Sequence, residues 1–353
     1  MSILITGAGL IGCRTASLLA ARGEKPILLD LRPNAAAIAS LVPDGKAAIV
    51  AGDVSDRAAM LDLFKRHAVT KVVHTAAALS LAIRERPTLA FDVNLGGTVA
   101  LLEAARATGV ERFLYASSTT VAYSTFGDTL SAPVKEDLAL RVASQAPRSL
   151  YAAAKLAGEW FVRLYGDQFG LDWAALRYAA VLGLWAGPNN SVPGGLMAKL
   201  LGQGAAGGKV RVDDKLYLWT RGEDFVDARD VAAANVAALE APALPSRVYN
   251  VASGRMTSVA DFVAAAKRVR PDLEIETADV PPTGFAGFPW PRDYAFDISA
   301  AAKDFGYRPA HDLESSLRAA LPFVQSRSGA PIAAHDRPWA ARIRREWAAS
   351  NRR

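Results

Sequence analysis

Short apolar runs alternate with longer stretches of helical period through the first half of the chain. Ile3 to Thr6, Pro26 to Asp30, Ala47 to Val54, Lys71 to Thr75, Arg112 to Ser117 and Trp173 to Ala179 each read as a strand. Their apolar residues run together instead of alternating with polar ones, the pattern of strands covered on both faces. Between them, Ile11 to Arg22, Arg57 to His67, Pro87 to Thr108 and Ser149 to Phe169 read as helices. Pro87 suits a first helical turn, and Gly23 a helix end. Alternating strands and helices predict an α/β fold: a doubly wound parallel sheet with right-handed crossovers.

After about Leu182 the rhythm changes. The stretches 183–195, 202–208 and 281–291 are rich in Gly, Pro and Asn and read as loops of a smaller substrate-covering region. Asp230 to Leu239 and Val259 to Val269 read as helices, and Arg247 to Val251 as a strand returning to the sheet. The expected organisation is a main domain over 1–182 with 221–252 packing back on it. An interleaved region over 183–326 and a basic tail over 327–353 complete it.

Composition narrows the class. Of 353 residues, 51% are hydrophobic and 22% charged, as in ordinary globular chains. No apolar run reaches the roughly 20 residues of a membrane span, and the N-terminal apolar stretch lacks a charged leader. Cys13 is the single cysteine, so no intrachain disulfide forms, which agrees with a reducing cytoplasm. The net charge of +6 suggests nucleic acid at first sight. However, 327–353 holds seven arginines against Asp336 and Glu346, so the tail carries +5 and the body about +1. The excess is not a focused patch, and no nucleic-acid partner is expected. Four scattered histidines and no Cys/His cluster argue against zinc.

The stretch TGAGLIG, Thr6 to Gly12, follows a strand and opens a helix. That context gives G-x-G-x-x-G its meaning as the phosphate turn of a Rossmann-type sheet. Gly7 takes the tight turn, Gly9 admits phosphate, and Gly12 lets helix and strand pack closely. Leu10 and Ile11 begin the helix, whose amide end faces the pyrophosphate. Eighteen residues beyond Gly12, Asp30 ends the second strand, placed to accept ribose hydroxyls and to repel a 2′-phosphate. NAD is therefore expected; Arg32, two residues on, keeps NADP open. Asp53 and Val54 end the third strand beside the adenine position. Thr75, Ala76 and Ala77 offer small residues where the backbone passes the cofactor.

The fifth strand ends in Ser117-Ser118-Thr119, and Tyr151-Ala-Ala-Ala-Lys155 begins a helix, with Tyr and Lys on one face. A free tyrosine, with pKa about 10, is a poor base at neutral pH. A nearby ammonium favours its phenolate. Tyr151 then exchanges a proton with a substrate hydroxyl during hydride transfer, Ser118 orients the same oxygen, and Lys155 also holds a ribose hydroxyl. Ser118, Thr119, Tyr151, Arg177 and Arg292 are the expected substrate contacts, Arg177 either anchoring a substrate anion or bracing the site.

Together these residues resemble the extended short-chain dehydrogenase/reductases, the NAD-dependent epimerase/dehydratase group. The resemblance runs from Ile3 to about Leu317. It includes the glycine turn, Asp30, Gly52-Asp53-Val54, His74-Thr75-Ala76-Ala77, Asn94-Leu95-Gly96-Gly97-Thr98, Ser117-Ser118 and Tyr151 with Lys155. It continues through Leu176-Arg177-Tyr178, Asp224-Phe225-Val226, Tyr249-Asn250-Val251, Asp297-Ile298-Ser299 and Gly306-Tyr307-Arg308-Pro309. It implies the serine, tyrosine and lysine roles given above and a homodimer formed through the helices over 87–108 and 151–169. Asn94, counted among the cofactor positions, has a structural or water-holding role by the resemblance.

The chain departs from that pattern in three places. The glycine spacing is one residue shorter than most members show. Ala180 stands where members acting on nucleotide sugars carry Asn, and Glu223 where they carry an arginine on diphosphate. A carboxylate facing a diphosphate is adverse; Arg221 and Arg292 are the groups available to offset it. Aromatics in 184–188 and 285–290 either line an apolar pocket or belong to core or a dimer contact. The sequence thus predicts an NAD-dependent oxidoreductase on a secondary alcohol or carbonyl of a small substrate: a sugar, sugar acid or hydroxylated metabolite. The alternative is an epimerase or dehydratase in which the hydride returns to the substrate, although Thr119-Thr120 argues against the dehydratase branch. A non-catalytic redox sensor is disfavoured by Ser118, Tyr151 and Lys155.

Overall fold

Residues 2–122, 133–137, 149–189, 191–202, 208–288 and 291–325 are described by a computed structural model of the chain. The basic stretch 327–353, Pro289, Trp290 and the loop residues 203–207 lie outside them. The first half contains β1 (Ile3–Thr6), α1 (Leu10–Ala21), β2 (Ile27–Asp30), α2 (Ala35–Ala39), β3 (Ala48–Ala51), α3 (Arg57–Arg66) and β4 (Lys71–His74). It continues with α4 (Ser80–Glu85), a π-helical segment (Ala90–Gly97) running into α5 (Thr98–Thr108), β5 (Arg112–Ser118), α6 (Leu150–Phe169) and β6 (Trp173–Tyr178). The second half adds β7 (Ala180–Leu182), α7 (Val192–Leu200), β8 (Lys209–Val212), β9 (Glu223–Asp227), α8 (Ala228–Glu240) and β10 (Val248–Val251). Next come β11 (Met256–Thr257), α9 (Val259–Val269), β12 (Glu274–Thr277), α10 (Ser299–Phe305) and α11 (Leu313–Gln325).

Seven strands form one sheet in the order β10-β6-β5-β4-β1-β2-β3, with every neighbouring pair parallel. The winding reverses between β1 and β4, and the crevice at that switch point, at the carboxyl ends of the strands, is where such sheets bind ligands. Successive residues of each strand serve opposite faces. Ile5, Leu28, Val73, Leu114 and Leu176 enter one buried cluster; Leu4, Leu29, Val72, Phe113 and Ala175 enter the other. Both faces are covered, which explains the uninterrupted apolar runs.

The second half is threaded through this sheet as well as attached to it. β10 extends its edge beside β6, while β11-β9-β7 and β12-β8 make two small sheets. Trp219, Phe225, Phe262 and Phe285 pack edge to face, with ring centroids 4.9 to 5.9 Å apart, as the core of this region. Phe285 is therefore core, and so is Trp185, buried with its indole donating to the Pro188 carbonyl at 3.1 Å.

Three boundaries differ from the sequence reading. The stretch 183–195 was expected to be loop, yet α7 starts at Val192 with Ser191 as its cap. Gly194 and Gly195 mask the helical pattern. They are there for space: a Cβ would meet the Asn189 amide at 2.1 Å and the Tyr217 hydroxyl at 2.3 Å. The long helix expected from Pro87 begins as the π-helical segment at Ala90. In that segment Gly97 lies so close to Val54 that a Cβ would meet Cγ2 at 2.7 Å. β9, whose Glu-Asp start hides it as a strand, was not expected. Among the described residues, no helix is long and apolar enough to cross a membrane, and no cluster of His, Cys, Asp and Glu could hold a metal.

Candidate active site

The glycine turn joins β1 to α1 with φ +86° at Gly7, a value that favours glycine. A Cβ there would also strike the Ala76 backbone at 2.8 Å, and one at Gly12 would strike the Gly7 carbonyl at 2.0 Å. Both positions are closed to larger residues. Gly9 differs, because a Cβ there meets nothing within 4 Å. It caps α1 without a side-chain hydrogen bond, so the first amides of the helix face an open approach at its positive end. The Asp30 carboxylate grips this turn from β2, accepting from the Ala8 amide at 2.9 Å and the Arg32 amide at 2.9 Å. These features fit a dinucleotide: an anion at the helix end and a carboxylate at the ribose position.

The other expected cofactor residues are mostly scaffold. Thr75 donates to the Thr6 carbonyl at 2.7 Å, and Asp53 accepts from the Ser55 amide and hydroxyl at 2.9 and 2.7 Å. Val54 is buried under Gly97. Ala76 and Ala77 are partly exposed beside the turn, and the Arg32 side chain is exposed. Asn94 is spent on one backbone unit: its carbonyl accepts from the Ala78 amide at 2.7 Å, and its amide donates to the Ala78 carbonyl at 3.0 Å. It braces the chain after β4. His74 lies between the Thr6 and Thr98 hydroxyls, at 2.7 and 3.0 Å. Burial, then the nearby Lys155 ammonium, lowers its pKa to about 3, so it is neutral at working pH.

Ser118, Tyr151 and Lys155 come together at the carboxyl end of β5. Gly158 allows it: a Cβ there would meet the Tyr115 hydroxyl at 2.2 Å, so α6 lies directly on β5. The Ser118 hydroxyl accepts from the Thr120 hydroxyl at 3.0 Å. The buried Lys155 amine donates to the Ala116 carbonyl at 2.7 Å and lies 5.8 Å from the Tyr151 ring centroid. Burial pushes the Tyr151 phenol up to about 12, opposed by its hydrogen bond with Ser118. This is opposite to the direction expected from sequence, because burial of the phenol outweighs the stabilisation of its charged form. Burial also lowers Lys155 to about 8, with Glu159 holding it up.

The remaining expected substrate contacts are engaged within the fold. The Thr119 hydroxyl donates to the Tyr178 carbonyl at 3.3 Å. Arg177 forms a two-pronged pair with Glu159, at 2.8 and 2.7 Å, and donates to the Glu136 carbonyl at 2.7 Å. Arg292 is buried, 3.9 Å over the Phe296 ring, with its Nε 3.7 Å from Glu223. Arg221 pairs with Asp293 at the surface. The sequence reading missed Glu159; its signal was a carboxylate four residues after Lys155, on the same helical face.

Comparison with known proteins agrees with this geometry. The model of the NAD dependent epimerase/dehydratase family matches residues 3–252. The chain is 28% identical over 342 residues to UDP-glucuronate 4-epimerase 1 of Arabidopsis thaliana, covering 90% of this chain and 75% of the relative. Among solved structures, the UDP-glucose 4-epimerase of Thermus thermophilus in complex with NAD superposes with TM-score 0.72 at 26% identity, covering 93% of this chain and all of that one. The holo form of an L-threonine dehydrogenase from Cupriavidus necator gives TM-score 0.73 at 25% identity, covering 91% and 99%.

Proposed function

The chain belongs to the NAD dependent epimerase/dehydratase family, and from that premise we propose that it oxidises a secondary alcohol of a small substrate, or reduces the matching ketone. The observation that carries this reading is the meeting of Ser118, Tyr151 and Lys155 at the carboxyl end of β5, beside the switch point. NAD, when bound, supplies the hydride acceptor. The Gly7–Gly12 turn and Asp30 hold it, and Lys155 steadies a ribose hydroxyl. Ser118 orients the substrate oxygen and Tyr151 exchanges its proton. The substrate region is the part beyond 182, over the main domain of 1–182.

Epimerisation is the second reading, because relatives named as UDP-sugar 4-epimerases match along most of the chain. Against it, the buried Arg292 lies beside a carboxyl, Glu223, at 3.7 Å, where an anionic diphosphate would meet it. Absorbance at the NADH band separates the two readings in a panel containing L-threonine, free sugars, sugar acids, UDP-glucose and UDP-glucuronate. Accumulating NADH with a free alcohol supports the first. A UDP-sugar converted to its epimer without net NADH replaces it with the second.

The reading includes a homodimer and a cytoplasmic location. Trp160, Phe161 and Leu164 lie exposed on α6, and Phe91 is 69% exposed on the π-helical segment that packs against it. A second copy would cover this apolar surface. Sedimentation showing only monomer would refute the dimer.

A further inference from the structure

Tyr151, Lys155 and Glu159 are spaced by four along α6 and so share one face. The first two face the substrate position, and the third lies beneath them, where a single carboxylate collects three donors. Its Oε1 accepts from the Ser117 hydroxyl at 2.5 Å and from Arg177 Nε at 2.8 Å. Its Oε2 accepts from Arg177 Nη2 at 2.7 Å. Both side chains of the pair are under 10% exposed. Ser117 and Arg177 are register partners on β5 and β6, so one carboxylate fastens α6 to two adjacent strands.

We propose that Glu159 is a positioning residue: its buried carboxylate, fixed by Arg177 and Ser117, keeps Lys155 charged and sets the face of α6 that presents Tyr151. The inference rests on the cofactor reading given above. The surroundings of Lys155 make the assignment specific. From its own helix it faces Tyr151 and Glu159, and from β5 the Tyr115 ring, 5.0 Å from its amine, and the Ala116 carbonyl, to which it donates at 2.7 Å. From β4 it faces His74, which is neutral. β6 brings Arg177 and Tyr178, and the 133–137 segment brings Glu136 to Arg177. Among the described residues, Glu159 is the carboxylate that acts on Lys155. A buried amine far from any anion sheds its proton, so loss of this carboxylate uncharges Lys155 at lower pH.

NAD affinity measured by calorimetry between pH 6 and 9.5 tests this on the full chain without a known substrate. Wild type is expected to lose affinity as pH rises through about 8. In Glu159→Gln the same fall is expected about one pH unit lower, giving about fivefold weaker binding at pH 8 and approaching tenfold at higher pH. Glu159→Asp, which keeps the charge, retains the wild-type profile even where it melts earlier. Should Glu159→Gln leave Arg177 too exposed to its own charge to fold, the double variant Glu159→Gln with Arg177→Met removes both charges. It should show a smaller shift in the same downward direction, because the Arg177 cation is removed as well. The proposal is overturned if affinity ignores pH near 8, if the Gln variant keeps the wild-type profile, or if the Asp variant shifts as far as Gln. Wild type that binds no NAD at any pH would instead sink the cofactor reading, and this inference with it.

Discussion

Where the glycine turn meets β2, the Asp30 carboxylate is held by two backbone amides; where β9 meets the 291–296 segment, Glu223 and Arg292 are held against each other. The first arrangement keeps an anionic oxygen available to a ligand. The second buries two opposite charges together, with both side chains 3% exposed. Amides aligned by a sheet are present whatever the ligand does, so a cofactor seat built on them is rigid. A buried ion pair is costly to desolvate and is retained where it serves specificity. The cofactor end of the molecule is thus built around a general binding task. In the second region, the buried Arg292 lies beside a carboxyl of its own fold, Glu223.

The largest effect should come from the residue that serves both regions. Tyr151→Phe removes one oxygen at the site and touches no backbone hydrogen bond. Turnover on whichever substrate the panel identifies should fall about 10²- to 10⁴-fold, with melting temperature and NAD affinity nearly unchanged. Full activity in this variant would break the proposed chemistry.

The same contrast decided what could be read from the chain. Ile3–Thr6, Lys71–His74 and Trp173–Tyr178 each carry adjacent apolar residues because both faces are covered, and they stood out. Gly7, Gly9, Gly12 and Asp30 have fixed spacings, as do Tyr151 and Lys155, so the site residues could be nominated. The second region gave weaker signals. β7 has three residues and β11 two, β9 opens with Glu-Asp, and α7 carries two glycines required by Asn189 and Tyr217. Partner choice was also beyond the sequence: Arg177 pairs with Glu159 and Arg292 lies against Glu223, carboxylates that no short spacing in the chain points to.

Gly158→Val attacks the contact between α6 and β5 without adding any polar group. Its Cβ would overlap the hydroxyl of fully buried Tyr115, which has no room to retreat. Overpacking of this kind costs about 1–3 kcal/mol or more. Denaturant unfolding should show that loss, and NAD binding should weaken with it because Lys155 is displaced. A variant as stable as wild type would show that the helix can shift freely on the strand.

Glu223→Gln probes the internal pair of the second region through pH. Burial, offset in part by Arg292, pushes Glu223 up to about 7 from an ordinary 4.5. A folded carboxyl raised above its unfolded value contributes stability below pH 4.5, and that contribution is lost as pH rises through 7. Wild type should therefore weaken across this window relative to Glu223→Gln, which does not titrate. The stability difference should move in the variant's favour by about 2 kcal/mol between pH 4.5 and 8. A difference that is flat with pH would show that the carboxyl titrates as if exposed.

Asp30→Ala tests the amide-held charge at the other end and has the smallest expected effect. It removes the acceptor for the Ala8 and Arg32 amides together with the carboxylate offered to ribose. Those amides lie at a partly exposed turn, so water can replace their bonds at little cost. The loss then falls on the cofactor, about tenfold in NAD affinity, the low end for a charge-assisted hydrogen bond. NADP should behave differently, because the variant removes a repulsion and leaves Arg32 nearby. Its affinity should hold or rise, narrowing the preference for NAD. Equal weakening toward both cofactors would mean that Asp30 acts only by shaping the glycine turn.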